Sequence, residues 1–281
     1  MSALRRWSAL AVLVLPVLLI SIDMSVLGIA VPALSADLDP TSGQLLWIID
    51  LYAFLLAGLL IFMGSLGDRI GRRRILLIGA PLFGAASLAA AFASSAEMLI
   101  AARALLGVGG ATLMPSTLGL IRTIFPDRAE RRTAIAVWAM AFSGGAALGP
   151  VVGGILLERF WWGSVFLMNV PVMAVFLLVA PFLLPESRDP SPGPFDPLSS
   201  VLSIAGIVGL VYALKTAAKS PDWTALAGLV VGAAAVAWFI ARQRRLAHPM
   251  IDVALFRNVA FTSAVSVNVI SVFAFMGLMF F

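Results

Sequence analysis

The sequence predicts an all-α fold, a polytopic transmembrane helical bundle, and three observations support this class. Of the 281 residues, 61% are hydrophobic and only 12% are charged, with a mean hydropathy of +1.04. Soluble domains carry about a quarter charged residues, so this chain has too little charge to cover a surface in water. Apolar runs of about 20 residues, the length that crosses the hydrocarbon core, recur along the chain, and short basic loops separate them.

Nine apolar segments are predicted to span the membrane. The first follows Arg5 and Arg6, as the apolar part of a signal peptide would, but it is too long for one and carries Asp23 in its middle. We therefore interpret it as a retained helix. The predicted spans are 9–34, 45–66, 75–94, 97–120, 133–157, 164–184, 197–215, 223–241 and 259–281.

The basic residues predict the orientation. With a cytoplasmic N-terminus, most of the 19 lysines and arginines fall in inside loops, whereas the outside loops hold only Arg159, Lys215 and Lys219. Membrane proteins keep their basic loops on the cytoplasmic side. We therefore expect a multi-pass protein of the cytoplasmic (inner) cell membrane.

A proline-rich break from Pro185 to Pro197 divides the chain, since proline cannot sustain a helix. The last span ends at Phe281 without a polar flank, so we expect a chain that is cut short. The expected units are a six-helix transporter half (1–185), a cytoplasmic linker (186–197), two extra transmembrane helices (198–245), and a loop with the first helix of a truncated second half (246–281).

Three ionisable residues, Asp23, Asp50 and Arg103, fall inside predicted spans. A charge at the bilayer centre costs about 2.5–3.5 kcal/mol on insertion scales and usually marks an ion or substrate path. Desolvation favours a neutral carboxylic acid, which can carry a proton, and the ionised form attracts an organic cation. A proton and a cation would then compete for one site. The structural alternative is that Arg103 neutralises one of the acids and holds helices together.

The sequence lacks the residues that other classes of function require. The chain has no cysteine and one histidine, His248, so we expect no metal site. We find no nucleophile–base constellation and no phosphate-binding loop, so we expect neither an enzyme nor an ATP-driven pump. The basic residues lie between spans rather than in one patch, which argues against a nucleic-acid partner.

Glycines mark two further features. Gly145, Gly149 and Gly153 recur every fourth residue and line one helix face, with Pro150 and Gly154 beside them. Small residues let helices approach closely and proline bends them, so we expect either a plain packing seam or a bend against a moving partner.

The second glycine feature is the loop after the second span, where an acid lies among arginines. The positive-inside bias explains the arginines, but it explains neither the acid nor the glycine spacing. The loop residues are Gly64, Gly67, Asp68, Arg69, Gly71 and Arg72.

Large soft side chains near these charges are candidates for the walls of a site for a lipophilic cation, including cation–π contacts. Each one could equally fill space in the bundle. They are Trp47, Phe54, Trp138, Met140 and Phe142.

Together these motifs resemble the major facilitator superfamily. The loop from Gly64 to Arg74 resembles its loop signature, and the run from Gly145 to Gly154 resembles the helix-5 signature of its antiporters. Three more segments resemble the fourteen-helix drug:proton antiporters, especially the quaternary-ammonium exporters. They are Asp23-Met-Ser-Val with Pro32, Trp47-Ile-Ile-Asp50, and Trp162 to Pro171.

The resemblance implies export of lipophilic, often cationic drugs and antiseptics, and hence antibiotic resistance, driven by protons with no cofactor. It implies proton and cation handling by Asp23 and Asp50, and a helix-4 proton relay at Arg103. Two alternatives stay open: a truncated membrane module that does not transport, and a facilitator for another small solute. The oligomeric state stays open too.

Overall fold

The computed structural model describes residues 1–190, 196–219, 222–247 and 249–280, and these residues form helices with no β-strand among them. A 3₁₀ turn, Val253–Arg257, precedes the last helix. The α-helices are α1 (Ala3–Leu38), α2 (Ser42–Ile70), α3 (Arg72–Ala91), α4 (Ala96–Ile124), α5 (Arg128–Arg159), α6 (Ser164–Leu167), α7 (Asn169–Leu183), α8 (Pro197–Lys219), α9 (Trp223–Gln243) and α10 (Val259–Phe280).

Eight helical segments of the described residues are long and apolar enough to cross a membrane, which confirms the predicted fold class. They coincide with the first eight predicted spans, and α6 and α7 together form the sixth, Ser164–Leu183. The ninth prediction coincides with α10, whose apolar part over the described side chains is Val259–Ser271. Phe281 and residues 191–195 of the predicted linker lie outside the described residues.

The helices pack around a core that α1 and α4 share. α1 packs against α5 and α7, α2 against α4 and α8, and α3 against α4 and α7. Leu13, Ile20, Phe83, Phe166 and Phe176 are fully buried in this core. The hairpin of α8 and α9 joins the bundle through the contact of α8 with α2.

Polar contacts define the two ends of the bundle. At one end Arg6 donates to Glu130 at 2.8 Å, which joins the starts of α1 and α5. At the other end Gln44 at the start of α2 donates to Glu97 at the start of α4, at 2.5 Å. Starts of odd-numbered and even-numbered spans therefore lie at opposite ends, as the alternating topology predicts. We call the first the Arg6 end and the second the Gln44 end.

Side-chain caps fix where several helices begin. Thr41 and Gln44 form a reciprocal capping box at the start of α2. Asp127 accepts hydrogen bonds from the backbone N–H groups of Glu130 and Ala129 at the start of α5, both at 2.9 Å. These bonds, led by the one from Glu130, hold the pKa of the Asp127 carboxyl below its usual range. The loops can be short because these caps accept hydrogen bonds from the otherwise unpaired backbone N–H groups at the helix starts.

A polar network closes the hairpin of α8 and α9 at its open end. Asp196 accepts hydrogen bonds from Arg242 at 3.1 Å and from the Ser199 hydroxyl at 2.6 Å. Burial opposes ionisation of Asp196, but these hydrogen bonds outweigh it, and the pKa of the carboxyl lies below its usual range. Gln243 donates to Ser199 and accepts from the backbone N–H of Met250. The segment that leads to α10 is thereby tied to this hairpin.

Candidate functional site

Asp23 and Arg103, two of the three predicted intramembrane charges, form a buried ion pair. Nη1 of Arg103 lies 2.5 Å from Oδ2 of Asp23, and the side chains are 1% and 0% exposed. Nε of Arg103 also donates to the carbonyl oxygen of Ile48 at 3.0 Å. One arginine on α4 therefore joins α1 and α2, which is the geometry of the structural alternative.

Tyr52 and Phe166 enclose this pair. The guanidinium carbon of Arg103 lies 4.4 Å from the ring centroid of Tyr52 and 5.9 Å from that of Phe166. Two buried oxygens of the cluster, Oδ1 of Asp23 and Oη of Tyr52, have no hydrogen-bond partner among the described residues. Buried polar oxygens normally have partners, so this cluster retains capacity to bind a further hydrogen-bonding group.

Asp50 lies in a separate cluster, with a partner that was expected in an outside loop. Lys215 of α8 forms an ion pair with Oδ1 of Asp50, and its Nζ lies 5.8 Å from the ring centroid of Phe54. Trp47 packs edge-on against Phe54, with centroids 6.5 Å apart. Asp50, Phe54, Trp47 and Lys215 thus form one carboxylate–aromatic cluster, the Asp50 cluster, between α2 and α8.

The other predicted wall residues lie on α5. Trp138 and Phe142 stack with centroids 6.4 Å apart, and Trp138 donates to Thr117 of α4 at 3.0 Å. Met140 is 63% exposed and has no part in this stack. The five candidates therefore divide into a pair in the Asp50 cluster, a pair on α5, and one exposed methionine.

Three of the predicted glycines bring α5 against α1. A Cβ atom built on Gly145 would lie 2.8 Å from the carbonyl oxygen of Leu18, and one on Gly153 would lie 2.6 Å from Val26. Gly149, between them, faces Ser25. Pro150 and Gly154 lie beside the seam, and a Cβ atom on Gly154 would meet no atom within 4 Å. The partner of the seam is α1, the helix that carries Asp23.

In the loop between α2 and α3, the acid contacts one of the arginines. Oδ1 of Asp68 accepts from Nε of Arg72 at 2.7 Å. Gly71 adopts φ +111°, ψ 128°, a conformation that residues with a Cβ atom rarely adopt. Gly64 lies against Pro115 and Gly67 against Ile75, which lets α2 approach α4 and α3. The glycine spacing thus matches a sharp turn between closely packed helices.

The chain that leaves α7 docks on this loop. Oε1 of Glu186 accepts from the backbone N–H of Arg73 at 3.1 Å. The backbone N–H of Arg72 donates to Ser187 at 2.8 Å, and that of Asp189 donates to Asp68 at 2.7 Å. A carboxylate at a helix N-terminus satisfies free N–H groups and the helix dipole. The start of the predicted linker is therefore fastened to the bundle.

We expect Gly71→Ala to lower the free energy of unfolding by about 1–3 kcal/mol, because it forces a Cβ atom into a glycine-only conformation. That atom would also lie 2.7 Å from the carboxyl carbon of Glu186. Thermal unfolding of the purified chain in detergent measures the change. Gly28→Ala is the control, since a Cβ atom there meets nothing within 4 Å. Equal melting temperatures for the two variants would contradict the prediction.

Three residues of these clusters were not predicted from the sequence. Lys215 was recognised only as an outside charge, although it ends a predicted span at the same membrane side as Asp50. Glu186 lies two residues after the sixth predicted span, on the membrane side where the other loops are rich in arginine, and this was a usable signal. No sequence signal indicated Tyr52, because nothing in the sequence shows which face of α2 meets Arg103.

The apolar helical segments and the ion pairs inside them define a polytopic α-helical membrane protein. Residues 13–281 match the Major Facilitator Superfamily, and the chain belongs to this superfamily. The domain fold agrees. A solved structure of the peptide transporter POT superposes with a TM-score of 0.59 at 19% identity, over 73% of this chain and 51% of that one.

Two relatives are much closer in sequence. The chain is 54% identical to the multidrug efflux pump LfrA of Mycolicibacterium smegmatis, over 99% of this chain and 55% of the relative. It is 44% identical to the methyl viologen resistance protein SmvA of Salmonella typhimurium, over 90% of this chain and 52% of the relative. The chain therefore spans about half the length of the curated relatives it matches.

Proposed function

We propose that this chain supplies the proton- and cation-binding part of an exporter. The exporter would move lipophilic, often cationic drugs and antiseptics across the cytoplasmic membrane in exchange for protons. The observation that carries the proposal is the Asp50 cluster, in which a buried carboxylate and the ring of Phe54 both contact one cation, the ammonium of Lys215. A carboxylate attracts a cation, and an aromatic face adds cation–π attraction.

The relatives support the class of substrate. One is a multidrug efflux pump and another is a methyl viologen resistance protein. Methyl viologen is an aromatic dication, which combines the charge and the flat apolar surface that the Asp50 cluster suits. The Arg6 end of the bundle carries the basic α2–α3 loop, and basic loops favour the cytoplasm. We therefore assign the Arg6 end to the cytoplasm and the Asp50 cluster to the outer half of the membrane.

Protons are the proposed energy source. A proton that moves down one pH unit releases about 1.4 kcal/mol, and each charge that crosses about 100 mV releases about 2.3 kcal/mol. A cation bound at ionised Asp50 competes with a proton for the same oxygens. Asp23 is the proposed second proton-binding group, since its Oδ1 has no hydrogen-bond partner among the described residues, and Arg103 is its permanent partner. The division of the chain into a six-helix half and two extra helices belongs to the same proposal.

The test is binding of ethidium, a fluorescent lipophilic cation, to the purified chain across pH, with proton release recorded in a weakly buffered sample. We expect binding to strengthen as pH rises and to release a proton. Asp50→Asn should remove the proton release and most of the affinity. Ethidium binding that is absent, or that does not change with pH, would contradict the proposal and favour a module that does not transport.

A further inference from the structure

Lys215 occupies the position that a substrate cation would take in the Asp50 cluster. Its ammonium group pairs with the Asp50 carboxylate and lies near the face of Phe54. The Asp50 side chain is only 10% exposed, whereas the Lys215 side chain is 51% exposed. The anion is therefore fixed inside the bundle, while its cation reaches it from the surface along a flexible side chain.

We propose that Lys215 is a tethered cation that holds the Asp50 site when no substrate is present, and that an aromatic organic cation displaces it. This inference rests on the proposed function. An ammonium is compact and strongly hydrated, so Lys215 regains hydration when it leaves Asp50. A quaternary aromatic cation is weakly hydrated and gains more from Phe54 and Trp47. The exchange replaces one cation at the carboxylate with another, and a proton is released only from sites that hold a proton in place of Lys215.

The Asp23–Arg103 pair shows why the exchange is assigned to Asp50. Arg103 is 1% exposed, donates to the carbonyl of Ile48, and lies against Tyr52. Releasing it would strand a buried charge, which costs several kcal/mol. The Lys215 side chain is half-exposed, and its hydrogen-bond and cation–π partners among the described residues are the Asp50 carboxylate and the Phe54 ring. One acid thus holds a permanent cation and the other an exchangeable one.

This assignment makes α8 part of the binding site. α8 packs against α2 and supplies Lys215 near its last turn, at the Gln44 end of the bundle. A substrate cation must then bind Asp50 strongly enough to displace Lys215, which is covalently part of the hairpin of α8 and α9. A weakly attracted or neutral solute would not displace Lys215.

Equilibrium binding of ethidium to the purified chain, followed by fluorescence anisotropy, tests the exchange. We expect Lys215→Gln to bind ethidium roughly fivefold more tightly, the order expected for one partly exposed ion pair. Asp50→Asn should bind at least about tenfold more weakly, because the attracting charge is gone. Arg159→Gln removes one charge from the exposed last turn of α5 at the same end and should change the affinity less than about twofold.

Chemical rescue separates the charge of Lys215 from its shape. The chain has no cysteine, so Lys215→Cys carries a unique thiol. Modification with aminoethyl methanethiosulfonate restores an ammonium and should return the weaker wild-type affinity for ethidium. Modification with methyl methanethiosulfonate adds no charge and should leave ethidium binding tight.

Three outcomes distinguish the two proposals. If wild type and Lys215→Gln bind ethidium equally, or Lys215→Gln binds more weakly, the tethered cation is overturned while the proposed function stands. If ethidium binds none of the variants, the proposed function fails and the inference fails with it. If Asp50→Asn binds as wild type does, Asp50 is not the cation site and both proposals are overturned.

Discussion

Replacing Arg103 with alanine will lower the free energy of unfolding by about 3–5 kcal/mol, the usual cost of stranding a buried charge. Asp23 is fully buried, and Arg103 is the one cation paired with it among the described residues. The change also removes the bond to Ile48 and the contact with Tyr52. Unfolding in detergent, followed by circular dichroism, measures the loss.

A double-mutant cycle assigns that loss to the ion pair. Asp23→Asn and Arg103→Met are made singly and together. The double variant removes both charges and should recover much of the stability that the single variants lose, since neutral replacements of buried pairs are often tolerated. It should also lower the proton release on ethidium binding without abolishing it, because Asp50 is retained. Arg132→Ala, at an exposed arginine of α5, is the control and should change stability by less than about 0.5 kcal/mol. Additive effects at the two positions would refute the coupling.

Gly145→Val is expected to have the second largest effect, because it pushes α5 away from α1. Its Cβ atom would lie 2.8 Å from the carbonyl oxygen of Leu18 and 2.8 Å from Cβ of Ser21. Because backbone atoms of a packed helix move only at a large energetic cost, we expect the free energy of unfolding to fall by about 1–3 kcal/mol or more. The α1–α5 contact positions Asp23, and ethidium-linked proton release should fall as well.

The neighbouring residue gives a matched control. Gly144 lies on the same helix, and a Cβ atom there would meet nothing within 4 Å, so Gly144→Val adds the same bulk outside the seam. It should keep the wild-type melting temperature or raise it slightly, because valine favours a helix more than glycine does. If Gly144→Val and Gly145→Val had the same melting temperature, the loss of stability could not come from the seam.

Hydropathy was enough to locate the first eight spans, because a bilayer demands about 20 apolar residues per crossing and satisfies no backbone group. The break at Met168 between α6 and α7 was not predicted, since both sides of it are apolar. The glycine spacing correctly placed Gly145, Gly149 and Gly153 on one face. Gly154 stands outside that face, and spacing alone could have excluded it.

The partners of the charges were harder to predict. Depth along a helix follows from residue counts at about 1.5 Å per residue. Rotation about the helix axis does not follow from counts, and it decides that Arg103 meets Asp23 while Asp50 meets Lys215. Roles for these residues remain predictions until binding and proton release are measured.

The contacts before α8 differ from those near its last turn. Ahead of residues 191–195, which lie outside the described part of the chain, Glu186 and Ser187 accept hydrogen bonds from the start of α3, and Asp189 donates one to Asp68. Near the last turn of α8 the fastening to α2 is one half-exposed ammonium on Asp50. Uncovering the Asp50 carboxylate would therefore take the movement of one half-exposed side chain, whereas uncovering Asp23 would require packed helices to separate.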